Sequence, residues 1–224
     1  MNLPIAAWLA FAALLFQSGI DPNSGYRTKA GREQVAANLA SPDRPERVKP
    51  QAIVDAMEVQ PGMTVADIGT GIGFLLPYLS KAVGDEGKVL AEDIYSDFLE
   101  KAQANAAAQK LDNIEFILGH EKDPRLPEGA VDAVVVVDTY HHFDYPSSVL
   151  AAIRRALRPQ GRLVIVDYYR RPDAMPGGNA MSHIRLDEPE VLREVESKGF
   201  RLLKKKEHVR NSQYLLVLVK EEGG

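Results

Sequence analysis

Short apolar segments alternate along this chain with segments of helical composition, and this alternation most constrains its fold. The early strands are continuous apolar runs; Ala133–Asp138, for example, holds four successive Val residues. Such runs are typical of strands buried on both faces of a parallel sheet. Strands that alternate with helices are joined by right-handed crossovers. The sequence therefore predicts an α/β fold with a doubly wound, mostly parallel sheet.

Seven strands and several connecting helices are predicted. The strands are Thr64–Ile68, Lys88–Asp93, Ile114–Leu118, Ala133–Asp138, Leu163–Asp167, Phe200–Lys205 and Tyr214–Val219. The helices are Gly31–Leu39, Gln51–Glu58, Leu75–Val83, Asp97–Lys110 with Ser96 as its cap, Pro146–Leu157, and one from a capping box at Asp187 to Lys198. About eight residues separate the last two strands, too few for a helical crossover, so the last strand is expected to be antiparallel.

Composition narrows the class of protein. The 224 residues carry 27 Lys and Arg against 31 Asp and Glu, a net charge of −4, and no Cys. The missing Cys excludes a disulfide scaffold, a thiolate zinc site and a thiol nucleophile. A mildly acidic chain lacks the basic excess of a general nucleic-acid-binding protein, so no nucleic-acid partner is expected.

The N-terminus differs from the rest of the chain. Residues 3–16 are almost wholly apolar, and no charged side chain precedes Asp21. This pattern predicts a signal peptide or membrane anchor within residues 1–25, hence a membrane-anchored or exported (periplasmic) protein. The alternatives are an amphipathic helix packed on the domain and a cytoplasmic location. Residues 26–62 are interpreted as a helical lead-in or lid, and residues 63–224 as the main domain.

A glycine-rich turn follows the first predicted strand. Gly69, Gly71 and Gly73 permit a tight turn and close approach of the backbone to a ligand. In a doubly wound sheet, ligands bind at the carboxyl ends of the strands, where this turn lies. The next strand ends in Glu92-Asp93, and a carboxylate there can accept hydrogen bonds from a ribose diol.

The turn does not fit a phosphate-bearing ligand well. Phe74 occupies the third glycine position of the dinucleotide fingerprint, and no phosphate-loop Lys follows the turn. Asp67, just before the turn, would repel a pyrophosphate. S-adenosylmethionine suits this position, because it carries an ammonium and a sulfonium and no phosphate.

Four motifs together resemble the class I S-adenosylmethionine-dependent methyltransferases, in particular the small-molecule, type 11-like members. They are Asp67–Gly73 (DIGTGIG), Lys88–Ile94 (KVLAEDI), Val131–Phe143 (VDAVVVVDTYHHF) and Leu157–Leu163 (LRPQGRL). The resemblance covers roughly residues 45–219. It implies a Rossmann-like seven-stranded sheet with an antiparallel last strand, S-adenosyl-L-methionine as cofactor, and methyl transfer by in-line displacement.

The resemblance also implies a cofactor site. Its residues are Asp67, Gly69, Thr70, Gly71, Gly73, Asp93, Ile94, Glu121, Asp123 and Asp138. Asp93 is the expected ribose ligand, with Glu92 as the fallback. His120 stands where many relatives have the Asp that contacts adenine, so Glu121 or Asp123 is expected to make that contact.

The predicted catalytic residues are Tyr140, His141 and His142, which follow the fourth strand. A base is needed only if the acceptor must lose a proton, and His has a suitable pKa. Adjacent residues of an extended chain point to opposite sides, so at most one His is expected to face the pocket; the alternative is a purely structural role. No metal site is predicted, because neighbouring His residues lack the i, i+4 spacing of a helical pair.

Further residues are candidates for the walls of the site. His183 and Arg185 are candidates for an acceptor pocket, and Tyr26, Arg27 and the run Arg44–Lys49 for a lid over the cofactor. For each of them the alternative is an ordinary solvated segment.

The acceptor is predicted to be a small molecule, since Asp138-Thr139-Tyr140-His141 lacks the two Pro of the motif common in amino-methylating enzymes. If residues 3–16 hold the protein at a membrane, a lipid or quinone-like acceptor fits. The alternatives are a non-catalytic cofactor-binding protein and a nicotinamide-dependent oxidoreductase.

Overall fold

A computed structural model of the chain describes residues 21–176 and 179–221. The apolar segment 3–16, predicted to be a signal or anchor, lies outside these residues. Within the described ranges, no helix is both long and apolar enough to cross a membrane.

One seven-stranded sheet forms the centre of the fold. Its strands are β1 (Thr64–Ile68), β2 (Lys88–Asp93), β3 (Ile114–Leu118), β4 (Val131–Val137), β5 (Leu157–Tyr168), β6 (Phe200–Val209) and β7 (Gln213–Lys220). Their order is β3-β2-β1-β4-β5-β7-β6, and β7 runs antiparallel to both neighbours while the other pairs are parallel. The predicted fold class is confirmed.

Eight helices of the described chain surround the sheet. They are α1 (Lys29–Leu39), α2 (Arg44–Val48), α3 (Pro50–Met57), α4 (Leu76–Val83), α5 (Ser96–Ala108), α6 (Pro146–Ala156), α7 (Ala180–His183) and α8 (Glu188–Glu196). The capping box at Asp187 and Glu190 is confirmed. Ser96 is the first helical residue of α5 instead of its predicted cap, a place that Tyr95 takes. Between the first two predicted helices the chain forms an additional short helix, α2, with Pro45 in its first turn, where a missing N–H costs nothing.

The central strand β4 is buried on both faces. Val134 and Val136 pack in one apolar cluster with α6 and α8, whereas Ala133 and Val135 pack in the other with α3 and α4. All four side chains are at most 2% exposed. This two-sided burial is the physical reason for the continuous run of Val.

The sheet order creates the site. The chain passes from β1 outward to β3 and then returns to place β4 on the other side of β1. The loops after β1 and β4 therefore meet. A Cβ on Gly69 would lie 2.3 Å from the Thr139 methyl group, so only glycine fits at that contact. Ligands of doubly wound sheets bind at such a switch point.

Candidate active site

A cavity of about 590 Å³ opens at the carboxyl ends of β1, β2 and β4. Its volume lies in the usual range for small-molecule sites. The wall consists of the glycine-rich turn, the end of β2, the loop after β4 and residues from the N-terminal segment.

The glycine-rich turn exposes backbone to this cavity. Gly69 and Gly71 have φ values of +70° and +56°, a left-handed conformation that favours glycine. The Gly71 N–H donates to Asp93 Oδ2 at 2.9 Å, and the Thr70 hydroxyl donates to Asp67 Oδ2 at 2.8 Å. Asp93 thus holds the turn against the end of β2, and Asp67 holds it against the end of β1.

Four carboxyl groups are buried around this turn. Desolvation by burial raises the pKa of Asp67, Asp93 and Asp138 from 3.8 to about 6 each, and raises that of Glu92 well above its usual 4.5. The neighbouring carboxylates add to this effect at Asp67 and Glu92. A cationic ligand would relieve the concentrated negative charge.

A guanidinium from α2 reaches the same place. Arg44 Nη2 lies 3.4 Å from Asp138 Oδ2, and its guanidinium carbon lies 4.9 Å from the centre of the Phe74 ring. Its Nε is buried and has no hydrogen-bond partner among the residues that the structure describes. Asp138 itself has a φ of +52° and accepts a hydrogen bond from Gln213 Nε2 at 2.5 Å.

The structure places most of the predicted cofactor residues on the cavity wall. These are Gly69, Thr70, Gly71, Asp93, Ile94, Glu121 and Asp138, joined by Glu92 and His120. Asp67 lies behind the turn, where it holds Thr70. Gly73 also lies behind the wall, and a Cβ there would be 2.8 Å from Leu76 Cδ1 and 3.3 Å from Ala102 Cβ.

Asp123 is not on the cavity wall. Its Oδ1 accepts the Arg125 N–H at 2.8 Å, and its side chain is about half exposed. The candidates for an adenine contact are therefore Glu121 and His120 at the wall.

The two adjacent histidines lie in a 3-10 turn, Tyr140–His142. Their ring centroids are 4.0 Å apart. The two rings do not point to opposite sides, as they would in an extended chain, because the 3-10 turn brings them together. Of the two, His142 lines the cavity.

Both rings are held through Nδ1. His141 Nδ1 lies 2.7 Å from Asp167 Oδ1, and His142 Nδ1 lies 3.0 Å from Asn23 Oδ1. Burial lowers the pKa of His141 to about 3 and the pKa of His142 well below 6.5. Both imidazoles are therefore neutral near pH 7, as a proton acceptor or ligand must be.

Tyr140 and Arg185 are engaged away from the cavity. The Tyr140 hydroxyl donates to Glu194 Oε2 at 2.6 Å, and Arg185 Nη2 lies 2.7 Å from the same oxygen. Neither residue lines the cavity, so this arrangement does not suit the predicted catalytic role of Tyr140. His183 instead joins the histidine pair, with ring centroids 5.1 Å from His141 and 5.4 Å from His142.

The N-terminal segment covers the cavity beside His142. Tyr26 packs its ring 4.9 Å from the His142 ring and 5.9 Å from the Tyr95 ring. Asn23, which the sequence analysis left outside the folded domain, donates to the His142 carbonyl at 3.1 Å. No pattern within residues 21–25 signalled this contact, since it joins positions 119 residues apart.

Comparison with known proteins agrees with this geometry. Residues 66–165 match the family model described as "Methyltransferase domain". A solved S-adenosylmethionine-dependent methyltransferase from Aquifex aeolicus is 29% identical, with a TM-score of 0.77, and the match covers 84% of this chain and 97% of that one.

Curated relatives match over shorter stretches. Nocamycin O-methyltransferase of Saccharothrix syringae is 32% identical over 50% of this chain and 40% of its own length. The ubiquinone/menaquinone biosynthesis C-methyltransferase of Hahella chejuensis is 29% identical over 51% of this chain and 47% of its own length. The chain thus spans less than half the length of these relatives. Other relatives are named as an arsenite methyltransferase and a tRNA (adenine(58)-N(1))-methyltransferase, so the acceptor differs among them.

The sheet order, the glycine-rich turn and the acidic end of β2 define a class I S-adenosylmethionine-dependent methyltransferase fold. Residues 66–165 match the methyltransferase domain model, and the fold is that of the S-adenosylmethionine-dependent methyltransferases, so S-adenosylmethionine is the cofactor that these matches indicate.

Proposed function

We propose that this protein transfers a methyl group from S-adenosylmethionine to a small-molecule acceptor. The observation that carries the proposal is the cavity itself. Its wall combines exposed backbone of the glycine-rich turn with buried carboxylates, which suit a cationic nucleoside, and it also includes the neutral His142. S-adenosylmethionine supplies the methyl group on a sulfonium, with no need for a protein nucleophile.

The residues of the cavity fit the parts of the cofactor. Asp93 offers a carboxylate for the ribose diol, and Gly71 permits close approach of the backbone. Glu121 and His120 lie at the wall beyond β3 and suit the adenine. The carboxylates of Glu92 and Asp138 balance the ammonium and sulfonium charges.

Arg44 is the proposed anchor for the carboxylate of the methionine part. Its buried Nε lacks a partner within residues 21–176 and 179–221, and an unpaired buried donor of a charged group is costly. A ligand carboxylate accepting that N–H would form a charge-assisted hydrogen bond. Arg44 thereby adds a specific anion contact to a site that is otherwise negative.

Several observations favour a small acceptor. Carboxylates around the cavity oppose a polyanionic RNA, and the absence of Cys removes the thiolates that soft elements such as arsenic prefer. The cavity also has an apolar side at Val137, Phe143 and Val149. This side suits a ring or chain on the acceptor, and a quinone-like or lipid acceptor is the narrower proposal that the Hahella chejuensis relative supports.

The chain's own contribution to the reaction is alignment, exclusion of water and removal of a proton. Alignment of acceptor, methyl carbon and sulfur can supply an effective molarity of roughly 10⁵–10⁸ M. Tyr26 and Asn23 cover the cavity at His142 and exclude water there. The acceptor atom forms a bond to the methyl carbon, the electron pair of the broken bond returns to sulfur, and the acceptor proton leaves at the histidine side of the cavity.

The test uses the full chain with methyl-labelled S-adenosylmethionine and two acceptor pools, small phenols, catechols and quinols in one and bulk tRNA in the other. We expect label in the small-molecule pool and formation of S-adenosylhomocysteine. Label only in tRNA would overturn the acceptor class. Cofactor binding without turnover in either pool would favour the non-catalytic alternative.

A matched pair of variants on α2 tests the anchor. Arg44→Gln should weaken S-adenosylmethionine binding by about 10-fold or more, since a charge-assisted hydrogen bond contributes about 1.5–3 kcal/mol. Arg47→Gln removes a partly exposed Arg of the same helix that pairs with Asp43, and should leave the affinity unchanged. Equal effects of both substitutions would refute the assignment.

A further inference from the structure

Three of the five histidines of this chain converge beside the cavity. His141 and His142 come from the turn after β4, and His183 comes from the end of α7. One ligand nitrogen from each lies within 4.8 Å of the other two. His183 is far from the pair in sequence, so the fold alone creates the cluster.

The two neighbouring rings are oriented as metal ligands usually are. A ligating His commonly donates its other ring N–H to a carboxylate or carbonyl oxygen, which fixes the tautomer. His141 Nδ1 lies 2.7 Å from Asp167 Oδ1, and His142 Nδ1 lies 3.0 Å from Asn23 Oδ1. With Nδ1–H donating to these oxygens, each ring presents the lone pair of its Nε2. The Nε2 of His142 lies 3.4 Å from the Tyr26 hydroxyl, a long contact that a bound cation would replace.

In the part of the chain that the structure describes, the three rings meet without hydrogen-bonding to one another. Within residues 21–176 and 179–221, no hydrogen bond joins the three rings to one another, and only aromatic edge or tilted contacts connect them. A shared cation would satisfy all three lone pairs at once.

We propose that His141, His142 and His183 bind one zinc ion at the wall of the cavity. Imidazole nitrogens suit divalent zinc, and three protein ligands with a fourth position left open are typical of catalytic zinc sites. Zinc–nitrogen distances of about 2.0–2.1 Å in a tetrahedron need nitrogens about 3.4 Å apart. The three nitrogens lie within 4.8 Å of one another, so zinc binding requires the rings to draw closer.

The open position faces the acceptor, because His142 is the member of the cluster that lines the cavity. This role rests on the proposed function. A hydroxyl oxygen of the acceptor that binds there has a lower pKa. Its proton passes to solvent, its oxygen forms the bond to the methyl carbon, and the electron pair of the carbon–sulfur bond returns to sulfur. The geometry thereby narrows the acceptor class to hydroxyl compounds.

The experiment measures zinc binding by the full chain purified without a polyhistidine tag and stripped with a chelator. We expect one zinc per chain by elemental analysis. We also expect a four-coordinate visible spectrum when Co²⁺ replaces zinc, a readout that needs no variant. Absence of bound zinc, or a cobalt spectrum like that of the hydrated ion, would overturn the proposal.

Two matched variants identify the ligands. His183→Ala should weaken zinc binding by about 100-fold or more, whereas His120→Ala, which removes an exposed His outside the cluster, should leave zinc affinity unchanged. Equal zinc affinity in His183→Ala and the wild type would overturn the assignment.

Titration of His183→Ala with S-adenosylmethionine separates the two proposals, because His183 does not line the cavity. Retained cofactor binding with lost zinc supports the metal site. Zinc binding by a wild-type chain that binds no cofactor supports the metal site and refutes the proposed function.

Discussion

Replacing Asp93 with Asn should weaken cofactor binding and at the same time stabilise the free protein. Burial raises the pKa of this carboxyl from 3.8 to about 6. One pKa unit corresponds to about 1.4 kcal/mol, so above pH 7 the ionised form is destabilised by about 3 kcal/mol. Asn carries no charge, so it avoids this cost. Asp93 accepts hydrogen bonds from the backbone N–H groups of Gly71 and Tyr95, and Asn would lose one of them, at a cost of about 1 kcal/mol.

The net expectation at pH 8 is a free energy of unfolding about 1–2 kcal/mol higher than in the wild type. The affinity for S-adenosylmethionine, in contrast, should decrease. Losing charge-assisted hydrogen bonds to the ribose should cost about 1.5–3 kcal/mol, or roughly 10- to 150-fold in Kd. Denaturant unfolding measures the first effect, and calorimetric titration with S-adenosylmethionine measures the second.

The matched control is Asp123→Asn, the same chemical change at a half-exposed carboxylate off the cavity wall. This control should change neither the free energy of unfolding nor the affinity for S-adenosylmethionine appreciably. Unchanged cofactor affinity in Asp93→Asn, or equal weakening in both variants, would refute the reasoning and move the ribose contact to another residue.

Three further outcomes are expected. Gly71→Val should abolish cofactor binding and lower the free energy of unfolding by about 1–2 kcal/mol. The control Gly62→Val, at a φ of +85° where no atom of the described chain lies within 4 Å of the added Cβ, should lower stability alone. Cofactor binding by Gly71→Val would contradict the site. Tyr140→Phe should lower the free energy of unfolding by about 1–2 kcal/mol, through loss of the 2.6 Å hydrogen bond to Glu194, without changing turnover; a large loss of turnover at unchanged stability would restore a catalytic role. Because the pKa of Asp93 is raised in the folded state, its contribution to stability is present below about pH 4 and lost as pH rises through about 6. Cofactor affinity should fall by up to tenfold per pH unit below pH 6. A cofactor affinity that stays flat from pH 5 to 8 would count against a role of this carboxylate.

The sheet and the glycine-rich turn were predictable because local sequence dictates them. A strand buried on both faces must be apolar throughout, as Val134 to Val137 show. Position 69 admits only glycine, because a Cβ there would lie 2.3 Å from the Thr139 methyl group. These constraints act on neighbouring residues and leave a readable pattern.

The histidine side of the site was not predictable, because it depends on contacts between distant segments. The orientation of His141 and His142 follows from a 3-10 turn, which a pair of adjacent His residues does not predict. His183 and Asn23 reach the pair only through the tertiary fold. Tyr140 has the residue type of a catalytic group, but packing turns its hydroxyl to Glu194 instead of the cavity.

The most direct test of the central claim is calorimetric titration of the full chain with S-adenosylmethionine, S-adenosylhomocysteine and NADH. The site predicts binding of the first two at one per chain and no binding of NADH, because the turn lacks the dinucleotide pattern and carboxylates surround the cavity. Binding of NADH alone would contradict the account and leave only the fold.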